Sequence, residues 1–128
     1  KFIKLFKLTV FLFKLFDPLV CCMKLASFIA FTSQLAHVVS SSYVKSPSLL
    51  KQAGFSAGSF KDLTRVAKLN EDMWTELFLM NRGPLVDEIE HIIARLTEYR
   101  DAIANNDAQR LHDLLKEGRE LKELSNNS

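Results

Sequence analysis

Between Leu25 and Val44 the chain carries no formal charge for 20 residues, yet its apolar and polar positions are sorted rather than mixed. At about 100° per residue, Ala30, Ser33, His37, Ser40 and Ser41 gather on one side of a helix, and Phe28, Phe31, Leu35, Val38 and Val39 on the other. The pattern predicts an amphipathic helix whose polar side is small and uncharged apart from one imidazole. Such a side suits close packing against a ligand or another helix better than bulk water. Ser46-Pro47 ends the helix, because the residue before proline is driven out of the helical region and proline lacks a donor. A short helical stretch is expected around Ser48 to Ala53, followed by a loop, GFSAGSF, over residues 54–60. Ser59, with Asp62 three positions on as a weak capping-box partner, is predicted to open KDLTRVAKL as about two helical turns. Asn70 is predicted to cap Glu71 to Met80, whose first turn carries Glu71 and Asp72 where the helix dipole favours negative charge.

Gly83-Pro84 opens the longest expected helix, since proline is tolerated in a first turn. Leu85, Ile89, Ile92, Leu96, Tyr99 and Ile103 recur at steps of 4, 3, 4, 3 and 4, a seam for a partner helix. Asn105-Asn106 ends it, Asp107 caps the last helix, and Leu111, Leu114, Leu115, Leu121 and Leu124 are expected to give that helix a buried face. No stretch alternates with period two for long enough to make a strand. The fold class expected is all-α, a helical bundle of five or six helices. The seam at 85–103 exceeds what the short neighbouring segments can cover, which points to a second chain.

Composition adds an asymmetry. Residues 1–27 hold five Lys, one Asp and five of the ten Phe, a local charge of +4; the other residues carry 12 Lys+Arg and 14 Asp+Glu, a local charge of −2. The expected division is therefore a basic, apolar segment over 1–27 and a helical domain over 28–128. In the first, Lys1, Lys4, Lys7 and Lys14 form a rough basic stripe on a helix. Lys14 and Asp17 interrupt the apolar run a signal peptide needs, and the longest uncharged run before Lys24 is six residues, too short for a span. An interfacial amphipathic helix and a segment foreign to the rest of the chain are the readings left. The serines, Gln34 and His37 between 25 and 44 argue against a second membrane segment.

The overall charge of +2 gives no argument for nucleic acid. Cys21 and Cys22 are adjacent, cannot close a useful loop and lack the spacing of a zinc site, so a reducing, cytoplasmic compartment and no bound metal are expected. Gly54, Gly58, Gly83 and Gly118 are too scattered for a dinucleotide fingerprint or a phosphate-binding loop. The chain opens on Lys1 rather than Met, which leads to the expectation that it is a piece of a longer polypeptide.

Candidate chemistry is concentrated in three places. Arg65 offers the planar pair of N–H donors that grips a carboxylate, and Asp62, three residues earlier, is placed to orient it. Trp74 follows Arg65 by nine residues, and His37 is the imidazole on the small polar face. The segments FTSQLAHVVSSSYV and GFSAGSFKDLTRVAKLNEDMWTELFLMNR, then a long helix ending in LTEYRDAI and a last helix opened by Asp107, resemble the C-terminal domain of the prephenate dehydrogenase family. The resemblance runs from about Phe28 to about Leu124.

That resemblance implies an NAD(P)-dependent oxidative decarboxylation of prephenate to 4-hydroxyphenylpyruvate in tyrosine biosynthesis, shared between two domains. The missing N-terminal half would be a Rossmann domain holding NAD or NADP and the catalytic histidine. The helical half would supply the homodimer contact and close the substrate cleft, with no catalytic residue and no bound cofactor of its own, and would be inactive alone. Residue by residue, Arg65 matches the arginine that holds a prephenate carboxylate, Gly58 a glycine of the loop lining the pocket, and Trp74 and Asp62 positions near the cleft. His37 and Gln34 fall in the family's S-H-x-x-H segment, Gln34 replacing the first histidine. The family's His-Asp, eight and seven residues before the serine matched by Ser33, is here Leu25 and Ala26. Two other readings compete. A helical chorismate mutase would need several arginines on facing helices, whereas Arg95, Arg100, Arg110 and Arg119 read as solvated. A non-enzymatic helix-pairing or membrane-surface module would use the basic N-terminal stretch.

Overall fold

The computed structural model describes residues 18–52, 54, 55 and 57–127, and the predicted basic stripe at Lys1, Lys4, Lys7 and Lys14 lies outside them. Five α-helices and no strand are found among the described residues: α1 (Pro18–Tyr43), α2 (Gly58–Thr64), α3 (Glu71–Met80), α4 (Arg82–Ala104) and α5 (Ala108–Asn126). The described residues form two compact units that divide between Glu88 and Ile89.

In the first unit α1 runs unbroken through the composition change at residue 27. Its middle, Ala30–Gln34, is a π-helical turn in which the Leu35 N–H reaches back to the Ala30 carbonyl. By length and composition alone α1 could cross a membrane, a test that the core helix of a soluble protein also passes. Burial shows which side has protein neighbours. Ala30 and Ser40 are fully buried and Gln34 is 5% exposed, whereas Phe28 and Phe31 are 64% and 60% exposed. The small polar side is thus the packed one, as its character implied, because short side chains let a neighbouring backbone come close. Of the predicted apolar side, Leu35 is buried, while both phenylalanines remain in the open.

The region after α1 departs from expectation at several points. The stretch at 48–53 tightens to one 3₁₀ turn, Leu49–Lys51. Gly54 then takes φ 87°, the left-handed conformation only glycine adopts without strain. The predicted loop ends early, since α2 starts at Gly58. Its N-cap is Ala57, in extended conformation and with no side-chain cap bond, so neither Ser59 nor Asp62 serves as a capping group; both already lie inside the helix. At the other end the helix stops at Thr64 rather than continuing through KDLTRVAKL. Asn70 takes φ −78°, ψ 111°, and its side chain accepts the Met73 N–H at 2.9 Å, so the chain must leave the helical conformation before it can cap α3. That cap is the predicted one.

In the second unit the later turns of α4 and the whole of α5 form a helical hairpin. Asn106 has φ 52°, the Asp107 N–H bonds the Ala102 carbonyl at 2.9 Å, and the Asn106 N–H bonds the Ile103 carbonyl at 3.1 Å. This is a Schellman ending with asparagine in the left-handed position. Asp107 then accepts the Arg110 N–H at 2.9 Å and starts α5 as expected. The Tyr99 hydroxyl donates to the Leu114 carbonyl at 3.2 Å, and Glu98 accepts from Arg110 at 3.1 Å, tying the two helices together. The expected buried faces are only partly covered. Ala102 and Leu114 are buried, but Leu96, Ile103, Leu115, Leu121 and Leu124 are exposed, because two helices alone can cover only one strip of each other.

Candidate functional site

The predicted site residues all lie in the first unit, on α1, α2, α3 and the segment joining α2 to α3. His37 and Trp74 are in direct contact, ring centroids 4.1 Å apart and planes tilted by 58°. Trp74 in turn meets Phe78, one helical turn on, at 5.3 Å. The other side of the imidazole is held by the Val66 carbonyl, 3.4 Å from Nδ1. A carbonyl can only accept, so this contact selects the tautomer with hydrogen on Nδ1 and leaves Nε2 of the neutral ring as an acceptor. His37 is half-buried, as is Trp74. The imidazole is therefore fixed in orientation with part of its surface still reachable.

Arg65 is the residue before Val66 and follows directly on α2, so the chain that carries the guanidinium is the chain that holds the imidazole. Arg65 is exposed and makes no hydrogen bond or ion pair among the described residues. The expected orientation by Asp62 is absent. Both side chains are solvent-exposed, and an exposed pair three residues apart gains too little to outweigh hydration, the more so where the helix ends between them. An unpaired guanidinium keeps both of its parallel N–H donors for an anion.

Gly58 is the first residue of α2 and is exposed; no atom lies within 4 Å of where a side-chain carbon would stand. Neither packing nor backbone conformation in this chain requires a glycine there. α2 packs against the second half of α1, with the Tyr43 and Phe60 rings 6.1 Å apart. A recess of about 370 Å³ opens beside that contact, lined by Tyr43, Ser46, Ser48, Leu49, Phe55 and Phe60 among others. None of the predicted site residues lines it, and its lining carries neither a formal charge nor an imidazole.

Gln34 differs from the others in being buried with both ends of its amide bonded. Nε2 donates to the Leu77 carbonyl at 3.1 Å, and Oε1 accepts from Asn81 Nδ2 at 2.7 Å. The same Asn81 nitrogen reaches the Ala26 carbonyl at 3.0 Å. Sequence reading did not single out Asn81, although it stands in the FLMNR segment that carries part of the resemblance. Its one signal was an amide at the end of a helix, which more often marks a local cap.

Comparison with known proteins follows the same segments. The family described as "Prephenate dehydrogenase, dimerization domain" matches residues 26–117. The chain is 33% identical over 100 residues to the cyclohexadienyl dehydrogenase of Zymomonas mobilis subsp. mobilis, covering 73% of this chain and 34% of that protein. It is 32% identical over 84 residues to the prephenate dehydrogenase of Lactococcus lactis subsp. cremoris, covering 66% of this chain and 23% of that one. A third relative, the prephenate dehydrogenase of Bacillus subtilis, is 28% identical over 69 residues, which cover 54% of this chain and 19% of that protein. The chain thus spans about a third or less of the length of the curated relatives it matches. With an all-α architecture and a family match over most of its length, the chain belongs to the prephenate dehydrogenase dimerization-domain family.

Proposed function

We propose that this chain is the helical dimerisation and substrate-binding part of an NAD(P)-dependent prephenate dehydrogenase, acting in the cytoplasm in tyrosine biosynthesis. The observation that carries the reading is the placement of an unpaired Arg65 one residue from the carbonyl that fixes His37 against Trp74. Prephenate is a dicarboxylate, and a guanidinium with both donors free binds one of its carboxylates as a fork. His37 presents Nε2 or, when protonated, an N–H to a second polar group, and Trp74 gives the carbocycle an apolar wall. The open space at Gly58 lets substrate approach the backbone at the start of α2. Asp62, exposed and unpaired with Arg65, lies one turn on from Gly58 in α2. Gln34, buried and bonded to Leu77 and Asn81, ties α1 to the end of α3.

The described residues do not fit a nicotinamide nucleotide: the four glycines are scattered over helices and loops, and no strand-to-helix turn exists to hold a diphosphate. Hydride transfer would be supplied by a cofactor held on a separate nucleotide-binding domain, and this chain's residues bind and orient the substrate. Alone it is inactive. Joined to the nucleotide-binding domain of a prephenate dehydrogenase, it is expected to support prephenate-dependent formation of NADH or NADPH. An absence of turnover in a folded fusion, or an Arg65→Ala change that leaves KM for prephenate untouched, counts against the reading.

A membrane-surface role draws support from the exposed Phe28 and Phe31 on α1. The buried Gln34, Ala30 and Ser40 on the same helix favour protein neighbours instead. Co-sedimentation with anionic vesicles separates the two, a helical module of this family leaving the vesicles unbound.

A further inference from the structure

The contact between His37 and Trp74 has no covalent or ionic constraint, so something must set where α1 and α3 meet along their lengths. The polar contacts supply an ordered series. Ala26 and Gln34 on α1 are bonded by Asn81, just beyond the end of α3; Gln34 is also bonded to Leu77; and His37 meets Trp74. The partners descend along α3 as they ascend along α1, so these two helices run antiparallel and the amides lie one to two turns from the imidazole. Every donor and acceptor in the series is determined. The Leu77 and Ala26 carbonyls only accept, so nitrogen must face each of them, which leaves Gln34 Oε1 to accept from Asn81. Leu77 lies in the last turn of α3, and Gln34 bonds its carbonyl from a different helix. Asn81 also gives its backbone carbonyl to the Leu85 N–H at 3.1 Å, at the start of α4. One residue therefore joins α1 to the end of α3 and the beginning of α4.

We propose that Asn81 is a positioning residue: through Gln34 and the Ala26 carbonyl it fixes the register of α1 against α3, and so holds His37 over Trp74 in the geometry the substrate needs. The role in substrate binding rests on the function proposed above; the clamp itself does not. A slide of one residue along either helix would break two short bonds around a 5%-exposed amide, whereas apolar contacts tolerate such a slide. The π-helical turn ends at Gln34, so the irregular turn and the clamp coincide.

Nuclear magnetic resonance of the whole chain tests this without a ligand. The wild type is expected to show slow exchange of the Gln34 side-chain amide and a strong cross-peak between the His37 and Trp74 ring protons. Asn81→Asp places an acceptor opposite an acceptor and is expected to speed that exchange at least tenfold and abolish the cross-peak. Gln34→Met combined with Asn81→Leu restores an apolar contact, so it is expected to keep helical content while the cross-peak drops by half or more. A cross-peak of undiminished intensity in either folded variant overturns the clamp and leaves Asn81 a merely structural residue. Should both variants unfold, the wild type decides: amide protons of Gln34 exchanging at the rate of a free side chain overturn the proposal, and protected ones support it. Titration with prephenate adds a separate arm. Wild-type shifts centred on His37 that weaken about tenfold in Asn81→Asp support both proposals, whereas no response in the wild type defeats the substrate reading and leaves the cross-peaks to judge the clamp.

Discussion

Arg65 and Ser40 are opposite cases of an unpartnered polar side chain. Arg65 is in water, so its lack of a partner costs nothing and keeps it available. Replacing it by Ala in a complete enzyme should weaken prephenate binding by about 30-fold or more, the loss of a charged, forked hydrogen bond worth at least 2 kcal/mol. Stability should stay within about 0.5 kcal/mol, as for most exposed positions. Arg65→Lys should recover only part of the affinity, because a point charge cannot form the fork. Measured KM and thermal midpoints check the three statements together. Ser40 is fully buried, and its Oγ finds no hydrogen-bond partner. Ser42, by contrast, donates to the carbonyl one turn back at 2.8 Å. Ser40→Ala removes a desolvated hydroxyl without changing shape and should raise stability by about 1 kcal/mol in denaturant titration. The sequence placed Ser40, His37 and Ala30 on one face correctly, since that needs only helical periodicity. It had no means of showing that Gln34 is consumed by Leu77 and Asn81, because those contacts join residues more than forty positions apart.

At the level of elements, what was legible follows the strength of local signals. Asn70 and Asp107 cap α3 and α5 as read, since an acceptor side chain before an acidic or apolar-periodic run leaves few other conformations open. The start of α2 was misplaced because Ser59 offered the same signal two residues too late and the true N-cap, Ala57, offers none. Its end at Thr64, six residues before the Asn70 cap, carries no signal in KDLTRVAKL. The turn between α4 and α5 provides the sharpest test of local energetics. Asn106 holds φ 52°, a conformation that costs a residue with a side-chain carbon roughly 1 kcal/mol unless it is Asn or Gly. Asn106→Gly should therefore be neutral or slightly stabilising, and Asn106→Ala should cost about 1 kcal/mol. Asp107→Ala should cost a similar amount by freeing the Arg110 N–H. Denaturant midpoints of the three variants, compared at equal m-value, check the order.

For the molecule as a whole, the question is what holds residues 89–128 together. Among the described residues there, only Ala102 and Leu114 are buried, and a pair of helices with so small a core is marginal in water. Leu96, Ile103, Leu115, Leu121 and Leu124 are all exposed, and burying a large aliphatic side chain contributes about 1.5–3 kcal/mol. The seam on α4 repeats at the spacing that packs helix against helix, and the family is named for dimerisation, so the occupant proposed for this surface is a second copy of the chain. If so, folding and association are one equilibrium, and the thermal midpoint must rise with protein concentration. Sedimentation is expected to give a dimer at micromolar concentration. Leu96→Asp and Leu121→Asp should each shift the chain to monomer and remove the concentration dependence, since a carboxylate buried without a partner opposes association by several kcal/mol. Val86→Asp, a change of the same chemistry at an exposed position off the seam, serves as the control and should leave the dimer intact. A monomeric wild type with a concentration-independent midpoint would show that the hairpin is held by something other than its own copy.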